Sequence, residues 1–193
     1  MPKRKEKFEP NLAYHVFNRG TNKQPIFFCD ENYSYLLKKI RKYESHDQIK
    51  ILACCLMPNH YHFVLVPTQI IPTISHFIGH VFNGYVQAVN HKHNRTGPLF
   101  EGRFKHKLIK KPEHVLHVCR YIHLNPLRAG LVETLDTFNW SDYLDWVGKR
   151  PSQLKKVEFR RDYFTDPNDY AKFVHDRADE LKYRDQITEY FKF

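Results

Sequence analysis

The chain has 193 residues, enough to bury one hydrophobic core, and its 31 Lys and Arg against 21 Asp and Glu give a net charge of +10. Aromatic residues make up 15% of the sequence, which excludes a disordered basic tail. Polar residues interrupt every apolar run before the ~18 residues of a membrane span, and the charged first residues are unlike a secretory signal. We therefore expect a cytoplasmic protein with reduced cysteines.

The first 70 residues carry strand, helix and hairpin patterns. Residues 14–18 alternate apolar and polar side chains before a glycine turn, which predicts a first strand. Apolar residues at helical spacing predict an amphipathic helix over 30–45. Short apolar runs at 49–57 and 60–67 flank a Pro-Asn turn signal, so they predict a hairpin of two strands.

Two further helices and a strand follow. An apolar stripe between 71 and 89 predicts a second helix, and residues 103–110 alternate like a strand. Pro112 at a first-turn position begins a third helix. This helix is expected to end near Asn125, because Pro126 disfavours helical backbone at the residue before it.

The order β-α-β-β-α-β is the split βαβ pattern. It predicts an α+β fold with a ferredoxin-like antiparallel sheet, helices on one face and an extra helix that carries a tyrosine. We expect a basic N-terminal arm over 1–12, a sheet domain over 13–148 and a small helical C-terminal appendage over 149–193.

The excess of positive charge lies within residues 1–150, since 151–193 hold equal numbers of basic and acidic residues. No Asp or Glu occurs from 48 through 100. Basic residues then crowd positions 92–111, opposed by Glu101 alone. A stretch of one sign interleaved with aromatic residues is typical of a surface that binds a phosphate backbone. A basic surface that serves only solubility is the alternative.

Two histidines stand two apart in the fourth predicted element. Because side chains alternate across a strand, His60 and His62 emerge on the same face, with Tyr61 on the other. Two imidazoles on one face are a natural pair of metal ligands. In a chain with 13 histidines, such a pair also arises by chance.

A second constellation lies on the third helix. Tyr121 and Asn125 are four residues apart, so they stack on one helical face roughly 6 Å apart. A phenol beside an amide oxygen supplies a nucleophile and a third metal ligand; a core aromatic and a C-terminal cap are the alternative. Together with the histidines and the basic strand, these residues form a set suited to phosphodiester chemistry. A nearby cation or base has to assist the phenol, and Arg120 and His123 are the candidates besides the metal.

Four sequence motifs, which follow one another along the chain, resemble those of a known family. Residues 57–62 (MPNHYH) resemble the HUH signature of single-strand-specific tyrosine nucleases. Residues 14–20 (YHVFNRG), 97–105 (GPLFEGRFK) and 120–132 (RYIHLNPLRAGLV) resemble the single-tyrosine insertion-sequence transposases. The sequence WSDY at 140–143 extends the likeness to the branch of REP-associated tyrosine transposases.

This resemblance implies an enzyme that cleaves and rejoins single-stranded DNA. His60 and His62 would bind a divalent metal, Mg²⁺ or Mn²⁺, with Asn125 as third ligand. Tyr121 would attack a phosphodiester, leaving a covalent 5′-phosphotyrosine and a free 3′-hydroxyl, and a later 3′-hydroxyl would reverse the reaction. Imidazole ligands alone would favour zinc, and a neutral His₂-amide set should hold Mg²⁺ weakly until a DNA phosphate completes the shell.

The basic residues receive roles as DNA contacts. The predicted contacts are Arg19, Lys92, Arg95, Arg103, Lys105, Lys107, Arg120 and Arg128. On a strand, Arg103, Lys105 and Lys107 share one face, and Phe104 points into the core. The N-terminal Lys3, Arg4, Lys5 and Lys7 either reach a flanking duplex or form a solvated arm.

Two other functions are compatible with these residues. A catalytically silent nucleic-acid-binding module on the same fold is the main alternative, and a zinc hydrolase built on the histidine pair is another. His76 and His80 are four apart on the second helix and could chelate a metal, although surface roles are commoner for such pairs. The expected partner is single-stranded or hairpin DNA in the nucleoid, without a membrane. A homodimer, and a lid or dimer contact formed by 149–193, stay open.

Overall fold

A computed structural model of the chain describes residues 8–71, 74–151 and 157–191. The sheet domain contains β1 (Tyr14–Arg19), α1 (Asp30–His46), β2 (Ile49–Met57), β3 (His60–Pro67), α2 (Ile74–Lys92), β4 (Lys105–Leu108) and α3 (Pro112–Arg128). The chain continues through α4 (Tyr143–Trp146), α5 (Val157–Arg161), α6 (Pro167–His175), α7 (Arg177–Thr188) and a 3-10 turn (Glu189–Phe191), here called the C-terminal turn. The N-terminal Lys3, Arg4, Lys5 and Lys7 lie outside the described residues.

The four strands form one antiparallel sheet in the order β2-β3-β1-β4. This order and the alternation with α1 and α2 confirm the predicted ferredoxin-like α+β fold. β1 is a central strand, paired with β3 on one side and with β4 on the other. The hairpin of β2 and β3 begins and ends at the predicted residues.

The two faces of the sheet have separate hydrophobic cores. On the first face, Tyr61, Phe63 and Leu65 of β3 pack with the apolar stripes of α1 and α2. On the second face, Val64 packs with α3 and with side chains of α4 and α6. The extra helix, α3, therefore covers the sheet face opposite to α1 and α2. His60 and His62 lie on the face that α3 covers, because they alternate with Tyr61 along β3.

The predicted C-terminal appendage packs against α3. Tyr170 and Val174 of α6, Ile187 of α7 and Tyr190 of the C-terminal turn are all buried in the second core. Residues 167–191 thus help to cover the face of the sheet that carries the histidine pair.

One predicted boundary is wrong, because α3 continues through Pro126 to Arg128. Proline cannot supply the N–H that would bond to the carbonyl of Ile122 one turn earlier. The amide nitrogen of the Asn125 side chain donates to that carbonyl at 3.3 Å and to the carbonyl of Tyr121 at 3.2 Å. This substitute bond satisfies the helix where proline would otherwise break it.

The remaining expectations about burial hold. Phe104 packs against the first core, and Cys54 and Cys55 are buried on β2. β4 is shorter at both ends than the predicted 103–110, because only Lys105–Leu108 pair with β1. Within the described ranges, no helix is long and apolar enough to cross a membrane.

Candidate active site

The histidine pair, His60 and His62, lies on the second sheet face, near the end of the sheet where β2 ends and β3 begins. The two ring centroids are 5.0 Å apart. In the register of β1 and β3, His60 faces Arg19 and His62 faces Phe17. His62 is buried and His60 is half-buried, so the pair lines a recess rather than an open surface.

Hydrogen bonds fix which nitrogen of His60 carries its proton. The Nδ1 atom of His60 lies 2.6 Å from the side-chain oxygen of Asn59. The amide nitrogen of Asn59 donates to the carbonyl of Lys23 at 3.0 Å, so its oxygen is the atom that faces the imidazole. The oxygen only accepts, and the proton of His60 therefore sits on Nδ1 while the lone pair sits on Nε2.

A third histidine, His15 of β1, orients His62 in the same way. Its Nδ1 lies 2.7 Å from the carbonyl oxygen of Tyr190, and its Nε2 lies 2.9 Å from Nδ1 of His62. The carbonyl accepts the Nδ1 proton of His15, so Nε2 of His15 accepts from Nδ1 of His62. The lone pair of His62 is therefore on Nε2, as in His60.

Burial keeps all three imidazoles neutral at pH 7. It lowers the pKa of His15 to about 4. Burial, aided by the charge of Arg19, also lowers the pKa of His60 to about 4. Burial lowers the pKa of His62 well below its ordinary 6.5. Neutral imidazoles with oriented Nε2 lone pairs fit the requirements of a divalent metal site.

Tyr121 lies half-buried on α3 beneath the C-terminal turn. Its ring stacks on that of Phe191, with centroids 3.6 Å apart. The guanidinium of Arg128 lies 4.5 Å from the centre of the same ring and pairs with Glu180 of α7. The described cavity beside this tyrosine has a volume of only about 70 Å³.

The ring of Phe191 connects the tyrosine to the histidines. Its centroid is 4.7 Å from that of His15 and 6.3 Å from that of His62. The structure therefore brings Tyr121, His15 and His62 around one aromatic side chain. Asn125, one turn beyond Tyr121, uses its amide nitrogen for the helix backbone, which leaves the oxygen as its ligand atom.

A basic strip, formed by Arg103, Lys105 and Lys107, leads away from this recess along the sheet edge. All three side chains are exposed. Lys105 pairs with Phe17 and Lys107 with His15, so both lysines share the sheet face of the histidine pair. Arg19, opposite His60, forms an ion pair with Glu101 at 2.6 Å.

The other predicted DNA contacts lie elsewhere. Lys92 is the last residue of α2 and lies 3.7 Å from Glu31, and Arg95 follows three residues later. The side chain of Arg120 is 1% exposed and bonds to Asp179 at 2.7 Å, which contradicts its prediction as a DNA contact. Arg120 points toward α7, because it is about 100° around the helix from Tyr121.

Sequence reasoning missed His15 and the C-terminal turn. His15 stands in the motif at 14–20. Because side chains alternate along a strand, the sequence could have placed His15 on the same sheet face as Phe17. No local pattern indicated that the carbonyl of Tyr190, 175 residues away, is its partner.

Comparisons with known proteins support the resemblance found in the motifs. The model of the IS200-like transposase family matches residues 9–125. The structure of the REP-associated tyrosine transposase bound to a REP hairpin matches with a TM-score of 0.64 and 16% identity, over 77% of this chain and 87% of that chain, which shows a shared fold.

A crystal structure from Deinococcus radiodurans R1, described as a transposase candidate, covers 63% of this chain and 95% of that chain at 17% identity. Its TM-score of 0.42 is too low to support an argument. No curated protein matches the sequence. Because the family model spans more than half of the chain, the protein belongs to the IS200-like transposase family.

Proposed function

We propose that the chain is a metal-dependent single-strand DNA transposase that cuts and rejoins DNA through Tyr121. The observation that carries this proposal is the meeting of Tyr121 with His15 and His62 around the ring of Phe191. A nucleophilic hydroxyl beside neutral, oriented imidazoles is the arrangement that metal-assisted attack on phosphorus requires.

The donor atoms of the site suit a divalent metal such as Mg²⁺ or Mn²⁺. The Nε2 atoms of His60 and His62 and the side-chain oxygen of Asn125 would hold it. Bound there, the metal would polarise a phosphate oxygen and stabilise the charge that develops on it. The three ligands are neutral, so an anionic DNA phosphate adds the charge that this set lacks.

In the chemical step, the phenol oxygen of Tyr121 forms a bond to phosphorus and the bond from phosphorus to the 3′ oxygen breaks. The phenol proton leaves and the 3′ oxygen gains a proton, so the products are a 5′-phosphotyrosine and a 3′-hydroxyl. The new ester retains the energy of the broken one, and a second 3′-hydroxyl can therefore reverse the reaction. The Phe191 ring has to move before a phosphate can lie between tyrosine and histidines.

The substrate proposed for this site is single-stranded DNA that extends from a hairpin. The basic strip lies on the same sheet face as the histidine pair and would follow the backbone of the single strand. The structural relative is bound to a REP hairpin, and that relative shares the fold of this chain.

Replacement of the nucleophile should abolish covalent chemistry and leave DNA binding intact. Tyr121→Phe and the double variant His60→Ala/His62→Ala should form no protein–DNA adduct with labelled hairpin DNA and Mn²⁺ on a denaturing gel, whereas the wild type should. Binding without an adduct by the wild type, across several hairpins and both metals, would favour the catalytically silent binding module instead.

His15 is expected to act as a positioning residue for His62. His15→Phe removes the acceptor that holds the His62 proton on Nδ1, so the Mn²⁺ concentration needed for half-maximal adduct formation should rise about tenfold or more. His15→Gln, whose amide oxygen can accept the same proton, should restore part of the loss. His106→Phe, which changes a histidine on the other face of β4, is the matched control. An unchanged Mn²⁺ requirement in His15→Phe would contradict this role.

The C-terminal turn is expected to slow the first cleavage. Phe191→Ala removes the ring that covers Tyr121, and an aromatic pair is worth about 1 kcal/mol, so adduct formation should accelerate by about threefold to tenfold. Tyr163→Ala, which removes an exposed aromatic ring, should leave the rate unchanged. A rate for Phe191→Ala at or below that of the wild type would show that the turn is not a cover.

The basic strip should account for part of the salt dependence of DNA binding. Lys105→Ala/Lys107→Ala removes two phosphate contacts, so the slope of log affinity against log salt concentration should become shallower by about 1.4 for single-stranded DNA. Lys38→Ala/Lys42→Ala, two exposed lysines of α1 on the far side of the sheet, provides the control. Equal slopes for both double variants would place the DNA elsewhere.

A further inference from the structure

Three metal-ligating side chains meet on the face of the sheet opposite to the candidate active site. Asp47 follows the last residue of α1, His46 precedes it, and His80 lies on α2. The His46 Nδ1 is 2.7 Å from one carboxylate oxygen of Asp47, and the His80 Nδ1 is 2.8 Å from the other. All three ligand atoms lie within 4.8 Å of one another.

We propose that His46, Asp47 and His80 form a second metal site, suited to Zn²⁺ or a similar transition metal. Two imidazoles and one carboxylate are a ligand set that Zn²⁺ uses with a fourth position open to water. The side chains of His46 and His80 are 66% and 43% exposed, so solvent reaches that fourth position. Mg²⁺ prefers all-oxygen ligands and is not expected to compete here.

The dimensions of the cluster are compatible with a tetrahedral ion. Ligand atoms about 2.1 Å from Zn²⁺ lie about 3.3 to 3.4 Å apart, so each imidazole has to withdraw by roughly half an ångström. The exposed histidine side chains allow this small movement. The ring of Tyr43 stacks on His80 at 4.9 Å and meets His46 edge-on at 5.8 Å, which holds both rings beside the carboxylate.

The charge balance also favours a cation. The Asp47 carboxylate is fully buried, and a buried carboxylate needs strong donors or positive charge. The two imidazoles each place one Nδ1 atom against this carboxylate, and a divalent ion held between them would supply positive charge directly. The ammonium groups of Lys39 and Lys42 lie 5.4 Å from the centre of the Tyr43 ring. Lys42 is exposed and Lys39 is partly exposed, so solvent and salt weaken their repulsion of a bound metal ion.

This site differs in position and in ligands from the two metal pairs considered from sequence. The sheet separates it from His60 and His62. His80 was considered together with His76, but its metal-ligating neighbours are Asp47 and His46. An ion here would tie the end of α1 to the middle of α2, so it should raise thermal stability whether or not Tyr121 is active.

The test uses the full chain with the active-site histidines removed. His60→Ala/His62→Ala should bind one Zn²⁺ in a calorimetric titration and melt at a higher temperature with Zn²⁺ than with EDTA. Addition of His46→Ala or His80→Ala should weaken this binding by at least about tenfold and remove the stabilisation. His91→Ala, an exposed histidine near the end of α2, is the matched control and should bind as before.

Melting in EDTA shows whether each variant is folded, so that a lost site can be told from a lost fold. His46→Ala changes a mostly exposed side chain and should stay folded. Zn²⁺ binding of equal strength with and without His46 and His80, or no Zn²⁺ binding by the variant lacking only His60 and His62, would overturn the proposal.

Discussion

The position of the tyrosine-bearing helix depends on the buried carboxylate of Asp142. Its oxygens accept from the backbone N–H of Cys54 at 2.7 Å, from Nε2 of His123 at 2.9 Å and from Nε1 of Trp146 at 3.2 Å. These bonds join β2, α3 and α4 at one point. Charged acceptors bond more strongly than neutral ones, and a buried one is costly to leave unpaired. Tyr121 lies two residues before His123, so this carboxylate fixes the helix from which the proposed nucleophile projects.

Local patterns could predict the sheet and the face that the histidine pair occupies. Alternation decides that His60 and His62 point away from Tyr61, and the hairpin turn decides how β2 meets β3. The split βαβ order then brings β1 between β3 and β4. The same alternation places Lys105 and Lys107 on the face of the histidine pair. These features depend on residues a few positions apart, so they can be predicted from the sequence.

The features that sequence reasoning missed depend on distant partners. The sequence predicts Arg120 to be a surface cation, but in the structure it is buried and pairs with Asp179 of α7. The helix passes Pro126 because the amide of Asn125 supplies the missing bond, a side-chain geometry that propensity rules do not include. His80 contacts Asp47 rather than His76, because Asp47 lies where the chain turns at the end of α1. In each case the deciding contact joins elements whose pairing no single segment specifies.

The C-terminal turn acts on both halves of the candidate site at once. The carbonyl of Tyr190 accepts from His15, which accepts from His62, and the next ring, Phe191, covers Tyr121. The side chain of Tyr190 is buried in the second core and anchors the turn, whereas the partly exposed Phe191 ring is held by aromatic contacts worth about 1 kcal/mol each. Several phosphate contacts along the basic strip can outweigh them. If the chain has the function proposed above, DNA itself would open the site, and the order of events would be strand binding first, displacement of Phe191 second and attack by Tyr121 last.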